Sequence, residues 1–436
     1  MTETIFALAS GAPPCGVAII RVSGPEASVA AKRLCGRTLE PRTVRYCELR
    51  DPVSGDLIDH GLCIFFSAPA SFTGEDCLEL QVHGSRAVVL KLLRTLGALD
   101  GCRLAEPGEF IRRAFNNDKL ALTDVEGVAE LLDARTEAQR RQALFHAGGH
   151  LADRVDRWRE MLLDARALLE AEIDFADEGE APSGVIPDVI RTCGLLLDEW
   201  RQALVDADRG EQIRSGYRVV ITGAPNVGKS SLMNALVRRD VAIVSEYSGT
   251  TRDVIEVELD LLGYSIVLCD TAGIRETGDP VEAIGIQKSN EAQRHASLIL
   301  RLGEATGARP IGVALAGPKE ILVASKSDVS GDMPDWADVS VSVKTGSGLD
   351  QLIELIAKAA DAALGGEPPL IANQRQRGYI EASTRLLSVL VAHEPPPIEI
   401  LAEDLRLCSD LLSNLIGGLT PDDILGSVFA RFCMGK

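Results

Sequence analysis

Short β-branched apolar runs separated by turn clusters fill the first part of the chain. Val17–Val22, Leu57–Phe66 and Cys77–Val82 read as strands, and helical spacing marks one helix near Ala87–Leu99. Residues 1–118 are therefore expected to form an α+β domain. At Thr123 the apolar period becomes helical. Thr123 and Glu126 have the spacing of a capping box, opening a long helical pattern from Asp124 to about Ala147. The Gly148-Gly149 pair marks a break before helix resumes over Leu151–Phe175. An acidic loop, D-F-A-D-E-G-E-A-P-S-G, precedes an amphipathic helix over about Pro187–Ala207. Helical pattern returns at Gln374–Ala392 and Glu399–Ile416, and Thr420-Pro421 supplies an N-cap and first-position proline for a last helix ending in C-M-G-K.

Between these helices the pattern is different. Arg218–Thr222 is a short β-branched run that reads as a buried strand, and Ser231–Val237 reads as a helix. Gly223, Gly228, Lys229 and Ser230 join them with the G-x-x-x-x-G-K-[ST] spacing of a phosphate-binding loop. The glycines let successive backbone N–H groups face an anion, and the helix N-terminus adds partial positive charge. Long helices on either side make this segment an insertion whose flanks close into one bundle. The expected organisation is an α+β domain over 1–118, a helical domain over 119–212 and 373–436, and a P-loop GTPase domain of Ras-like α/β fold over 213–372.

Composition narrows the classes. The chain has 436 residues with 46% hydrophobic and 25% charged content, as in a globular protein of two to four domains. A net charge of −19 argues against indiscriminate adhesion to nucleic acid or membrane, so a nucleic-acid partner needs a locally basic face or a second protein. Arg112, Arg113, Lys119, Arg135, Arg140 and Arg141 are candidates for such a face, although helix-surface arginines are usually just solvated. Ten cysteines without C-x-x-C pairing fit reduced, mostly buried thiols in the cytosol. The N-terminus lacks the pattern of a signal peptide, and no 18-residue apolar stretch exists to span a membrane.

Further elements sharpen the nucleotide reading. Lys229 is placed to reach the β- and γ-phosphates, and Ser230 to sit on Mg²⁺. Strand Tyr264–Cys269 leads into Asp270, Thr271, Ala272 and Gly273, which supply the Mg²⁺ surroundings and a γ-phosphate N–H. Ser248–Asp253 (S-G-T-T-R-D) suits a switch segment in which Thr251 completes the Mg²⁺ shell. Asp328 in A-S-K-S-D can accept two hydrogen bonds from guanine, with Lys326 along the base, and Ser342, Val343 and Lys344 fit the second base-edge loop. Two features depart from the usual GTPase pattern. Ser325 stands where guanine readers usually carry Asn, which predicts a lost tie to the phosphate loop and weaker binding with guanine preference retained. The region 297–318 looks thinned, without the usual long strand. Ile274 follows Gly273, so the water-orienting glutamine of Ras-like proteins is absent. A monovalent cation held at Asn226 and by carbonyls of Ser245–Thr250 is one substitute for an arginine finger, and Glu282 is a candidate water-activating carboxylate or an ordinary solvated residue.

In the N-terminal part, Arg21, the segment Ser71–Gly84 with Glu79, and E-P-G-E-F (Glu106–Phe110) are polar groups that a core alone does not require. A solvated strand face and a ligand pocket are both open readings. Together with G-V-A-I-I-R-V-S-G, F-T-G-E-D-C-L-E-L-Q-V-H-G, P-G-E-F-I-R-R-A-F-N-N-D-K-L and the terminal C-M-G-K, these residues closely resemble the MnmE (TrmE) family of tRNA modification GTPases over nearly the whole chain. The resemblance implies a homodimer that acts with an FAD-dependent partner, MnmG (GidA), on C5 of the wobble uridine of certain tRNAs. It implies K⁺-dependent dimerisation of the nucleotide domains and an N-terminal dimerisation domain binding a tetrahydrofolate derivative (5-formyl or 5,10-methylene). By position, Arg21, Glu79, Lys119 and Lys436 match the folate site, and Asn226, Ser245, Tyr247 and Thr250 the K⁺ site. Ser230 and Thr251 match the Mg²⁺ ligands and Glu282 the general base. The implied GTP contacts are Asn226, Val227, Gly228, Lys229, Ser230 and Ser231 in the loop, then Ser245, Glu246, Tyr247, Ser248, Gly249, Thr250 and Thr251 in the switch, besides the base-reading residues above. Cys433 in the tail is either incidental or a nucleophile for the modification. Rival readings are a GTP-dependent binding switch of the ribosome-assembly type and a folate-dependent transferase with a weakened nucleotide domain.

Overall fold

The computed structural model describes residues 3–175, 184–239, 255–270, 293–310, 318–330, 333–392 and 396–418, and near the C-terminus Gly426, Val428, Phe429, Phe432 and Gly435. The chain divides into two compact units: Met1–Ala129, His146–Asp164 and Leu405–Lys436 in one, Glu130–Phe145 and Ala165–Asp404 in the other.

The first unit is built on β1 (Thr4–Leu8), β2 (Cys15–Ser23), α1 (Ala27–Cys35), β3 (Arg45–Arg50), β4 (Leu57–Phe66), β5 (Cys77–Gly84), α2 (Arg86–Gly97) and β6 (Cys102–Leu104). The sheet order is β3-β4-β5-β2-β1-β6, antiparallel except for the β1–β6 pair. Alternation assigns the faces. Ala18, Ile20 and Val22 of β2 and Leu78, Leu80 and Val82 of β5 are buried in one core with Ala27, Ala30 and Leu34 of α1 and Val89, Leu92 and Leu96 of α2. Ser85 starts α2 by accepting the Val88 N–H at 3.2 Å. On the opposite face Ile5 and Ala7 pack with Ala105 and Phe110, the latter in α3 (Glu109–Asn116).

The helices that follow correct one expectation. The long pattern beginning at Asp124 is two helices, α4 (Leu122–Asp133) and α5 (Glu137–Ala147). Thr123 lies inside α4 and is buried, while the Asp124 carboxylate accepts the Ala121 N–H at 2.8 Å. The capping box belongs to Thr136 and Gln139. The Gln139 side chain accepts the Thr136 N–H at 3.2 Å, and also that of Arg135 at 2.9 Å, while the Gln139 N–H points back to Thr136 Oγ1 at 3.5 Å. The break at Gly148-Gly149 is as expected, with α6 running over His150–Phe175.

The second unit turns on α7 (Val185–Ser215), which extends eight residues beyond the expected Ala207 and passes through Gly216 into β7 (Tyr217–Gly223). There follow α8 (Lys229–Arg239), β8 (Ile255–Leu261), β9 (Tyr264–Asp270), β10 (Leu298–Glu304), β11 (Lys319–Ser325), α9 (Ser327–Ser330), β12 (Val339–Ser340) and α10 (Leu349–Leu364). The order is β12-β11-β10-β7-β9-β8, parallel except for the antiparallel β8–β9 pair. The expectation that 297–318 lacks a long strand is therefore overturned. β10 is seven residues long, buried over its first six, and pairs with both β7 and β11. Its apolar run is interrupted by Arg301, whose buried side chain pairs with Glu320 of β11.

The chain leaves the sheet beside the point where it came in. Gly365 to Asn373 leads to α11 (Gln374–Ala392), which packs on α7, and α12 (Ile398–Ile416) follows. Arg209 of α7 donates to the Gly365 carbonyl at 2.8 Å, Gln374 donates to Glu211 at 2.6 Å, and Arg377 pairs with Asp208 at 2.5 Å. The two backbones meet at Gly210, where an added Cβ would lie 2.3 Å from the Ile371 carbonyl oxygen. In an open helix Gly→Ala stabilises by about 1 kcal/mol. Here the sign reverses: Gly210→Ala is expected to cost about 1–3 kcal/mol by overpacking, seen as a lower urea midpoint for the unfolding transition. A midpoint that rises would show that the two segments can part without cost.

Candidate functional site

The phosphate loop is formed where β7 ends and α8 begins. Gly223 has φ +149°, and a Cβ there would meet the Leu302 carbonyl at 2.6 Å. Asn226 takes the left-handed conformation with φ 60°, which asparagine tolerates better than most residues. Lys229 Nζ donates to the Gly223 and Ala224 carbonyls at 2.9 Å each, so its charge is held over the loop. Ser230 Oγ donates to Asp270 Oδ2 at 2.7 Å, and Asp270 is buried at the end of β9. Two residues 40 positions apart in sequence thus present hard oxygen donors side by side. That donor chemistry fits Mg²⁺.

The segments carrying Lys326–Asp328 and Ser342–Lys344 meet beyond the ends of β11 and β12. Ser342 Oγ donates to Asp328 Oδ1 at 2.8 Å, and the Ser327 N–H donates to the Val341 carbonyl at 3.2 Å. Lys326 is left-handed with φ 58° and pairs with Glu304 at the end of β10. Val343 and Lys344 are exposed beside them. Ser325 corrects the expectation of a lost tie. Its hydroxyl donates to the Val227 carbonyl of the phosphate loop at 2.7 Å, with the Gly303 carbonyl 3.1 Å away. A hydroxyl has one proton to donate, and the shorter contact is the one that couples the two loops.

In the first unit Arg21 and Glu79 face each other across β2 and β5. Arg21 Nε and Nη2 both donate to Glu79 Oε1, at 3.1 and 2.9 Å, and the guanidinium lies 5.0 Å from the centre of the Phe72 ring. Phe72 sits in the Ser71–Asp76 loop. Lys119 lies along that loop too, its Cε 3.1 Å from where a Gly74 Cβ would stand. Gly435 packs against β1, where a Cβ would meet the Leu8 carbonyl at 2.0 Å. Leu8 pairs with Ile20 and Ala7 with Arg21, so Gly435 packs on the row next to the one that carries the ion pair.

A buried network behind this loop was flagged by E-P-G-E-F but not resolved from sequence. Glu109 accepts from Arg103 at 2.6 and 2.8 Å, from Arg113 at 3.0 Å and from the Glu106 N–H at 2.9 Å. Burial pushes its pKa up, but these partners outweigh it and hold the carboxyl at about 2. Arg113 continues to Glu75 at 2.9 Å, and Ser23 donates to Glu75 at 2.7 Å. Arg113 is therefore buried and engaged inside the unit, which removes it from the candidate nucleic-acid face. Arg135 pairs with Glu258 and Arg140 with Glu137, while Arg112 pairs with Glu106 at the surface.

Several expected site residues lie outside the described residues: Ser245, Glu246, Tyr247, Ser248, Gly249, Thr250, Thr251, Thr271, Ala272, Gly273, Glu282, Cys433 and Lys436. Among those described, the Ser325–Val227 bond yields a direct test. Ser325→Ala should weaken GTP binding about fivefold, the worth of one hydrogen bond near 1 kcal/mol, without altering preference for GTP over ATP. A competition titration with a fluorescent nucleotide reads both quantities, and an unchanged GTP affinity would mean the contact does not stiffen the loop.

Comparison with known proteins agrees along the whole chain. The family model described as the MnmE helical domain matches residues 122–433, and that of the GTP-binding protein TrmE N-terminus matches residues 4–119. A tRNA modification GTPase MnmE of Azorhizobium caulinodans is 44% identical over 435 residues, covering 100% of this chain and 99% of that protein. Another so named, from Rhodopseudomonas palustris, is 44% identical over 457 residues with coverage of 100% and 99%. Among solved structures, the FeoB G-domain from Methanococcus jannaschii is 23% identical, covering 33% of this chain and 98% of its own, with a TM-score of 0.26. The chain belongs to the MnmE (TrmE) family of tRNA modification GTPases.

Proposed function

We propose that this protein hydrolyses GTP to drive installation of an aminomethyl-type group on C5 of the wobble uridine of certain tRNAs, as a homodimer acting in the cytoplasm with an FAD-dependent partner of the MnmG (GidA) type. The observation that carries the reading is membership of the family at 44% identity over the full chain, joined to a phosphate loop whose Ser230 meets Asp270 at 2.7 Å. Among the described residues no helix is long and apolar enough to cross a membrane. The domain organisation that goes with it is an N-terminal folate-binding and dimerisation segment (1–118), a helical domain in two parts (119–212 and 373–436), and a nucleotide domain (213–372) inserted between them. The pairing of α7 with α11 supports that insertion.

In the nucleotide domain Lys229 neutralises β- and γ-phosphate charge, and the loop N–H groups orient the triphosphate. Ser230 and Thr251 hold Mg²⁺, with Asp270 behind Ser230; the ion adds positive charge where negative charge develops. Asn226, Ser245, Tyr247 and Thr250 take K⁺ in place of an arginine finger, and Glu282 activates the attacking water. Asp328 reads guanine, positioned by Ser342. Arg21, Glu79, Lys119 and Lys436 bind the folate one-carbon donor, and Cys433 takes part in the modification. The rival reading, a folate transferase with a weakened nucleotide domain, drew on Ser325 and the region 297–318. The Ser325–Val227 bond and the complete strand β10 withdraw that support.

Two experiments test the proposal. GTP hydrolysis by the wild type should be strongly faster in KCl than in NaCl, and Asn226→Ala should lose that stimulation while still binding GDP. If K⁺ still accelerates the variant, the loop does not hold the cation. Nucleoside analysis of tRNA from a deletion strain should show loss of the C5-modified wobble uridine, restored by the wild-type gene; modification that persists would remove the proposed substrate.

A further inference from the structure

The helix-packed side of the N-terminal sheet holds three cysteines that the proposed reaction does not use. Cys35 is the last residue of α1, Cys47 lies on β3 and Cys63 on β4. Cys47 pairs in register with Gly61, two residues from Cys63, so both strands send a sulfur to the same face on the diagonal. Cys35 comes down from the helix end above them. The three sulfurs lie within 4.8 Å of one another, and Cys35 and Cys63 are 3.6 Å apart. All three side chains are buried in the apolar core that includes Leu34, Leu39, Leu49 and Phe65. Among the described residues no imidazole or carboxylate joins the group.

We propose that Cys35, Cys47 and Cys63 form a binding site for a single monovalent copper ion, held by three sulfurs. The spacing is that of coordination. With metal–sulfur bonds near 2.3 Å, the ligand sulfurs of a tetrahedral site stand about 3.8 Å apart and those of a trigonal site about 4.0 Å. A disulfide requires sulfurs about 2.05 Å apart, well inside the 3.6 Å that separates Cys35 and Cys63, and the diagonal pair Cys47 and Cys63 would need backbone movement to form one. Three soft donors with no fourth ligand and an apolar surround select Cu(I). Zinc in a structural site takes four ligands. The contact with the Cys63 thiol lowers the Cys35 pKa against the opposing effect of burial, and contact with Cys47 and the Arg37 charge add to the lowering. Burial raises the Cys47 thiol, and the contact with Cys35 together with burial raises Cys63, so the ion has to displace those two protons. Each thiol that bonds the ion as thiolate releases its proton to solvent, and no change of oxidation state is involved. The bound ion would tie α1 to β3 and β4.

The test uses the full chain, reduced and anaerobic, with Cu(I) supplied as its acetonitrile complex against bicinchoninate as a coloured competitor. The wild type should withdraw one equivalent more copper than Cys35→Ser/Cys63→Ser, and X-ray absorption at the copper edge should show three sulfur neighbours. An unchanged circular-dichroism spectrum and unchanged resistance of the N-terminal unit to limited proteolysis serve as the control that the variant is folded. Equal withdrawal by both proteins, a shell containing nitrogen or oxygen, or displacement of the copper by equimolar Zn²⁺ would each overturn the assignment. A second measurement needs no variant. In urea sufficient for N-ethylmaleimide to reach the buried thiols of the metal-free protein, one equivalent of Cu(I) should protect Cys35, Cys47 and Cys63 while Cys15 and Cys102 still react. Alkylation of the three at the metal-free rate would also overturn the proposal.

Discussion

The second unit depends on one constraint: the sheet must begin and end at the same place on a helix. α7 passes into β7 through a single residue, Gly216, so the orientation of the first strand is set by the helix end. The returning segment lies across α7 at Gly210, close enough that no side chain fits between the backbones. Arg209, Glu211 and Asp208 then fasten it. Exposed ion pairs of this kind are individually weak. The stabilisation comes mainly from the buried face of α7, where Val189, Cys193, Leu196, Leu197, Trp200 and Ala203 recur at helical spacing. The polar contacts fix the register of the two segments.

That closure matters for the nucleotide loops because they are built on the ends of β7, β9, β10 and β11, not on one another. Among the described residues, short hydroxyl contacts tie them together: Ser230 to Asp270, Ser325 to Val227, and Ser342 to Asp328. Each is a hydroxyl serving an oxygen acceptor on a different loop. A hydroxyl is short, so the backbones must approach closely to use it, and the buried strands hold them there. Serine at position 325 is therefore not an eroded asparagine in structural terms. Its hydroxyl reaches the phosphate-loop backbone at Val227.

What could be read from the sequence follows from how local each signal is. The phosphate loop, the limits of α11 and the strand β9 leading to Asp270 were legible because their cues lie within a few residues. β10 was hidden because Arg301 breaks the apolar run, and only the fold supplies Glu320 as its partner. The capping box was assigned to Thr123 because Thr123 and Glu126 satisfy the same spacing as Thr136 and Gln139. Spacing alone does not say which one the chain uses. Ser325 looked like a loss because the distance to Val227 is a tertiary quantity. The partners of Glu109 are local, Arg103 and Arg113 within six residues of it, but the continuation from Arg113 to Glu75 spans 38 positions and only the fold supplies it.

The N-terminal sheet keeps its ion pair and its thiol cluster on opposite faces and on different strands. Successive residues point to opposite faces, so Ile20 and Leu80 enter the helix-packed core while Arg21 and Glu79 face the other way. The thiols of Cys47 and Cys63 share the core face and are separated from the ion pair by the thickness of the sheet. On the Arg21 face the charge is already matched by Glu79, which has a consequence for any anionic ligand. Such a ligand must share the guanidinium with Glu79 and bring its own donors to the carboxylate. A molecule offering both an acceptor and an N–H donor edge meets that demand, whereas a simple carboxylate or phosphate is repelled by Glu79. The pterin edge of the proposed folate donor carries that pattern of donors and acceptors.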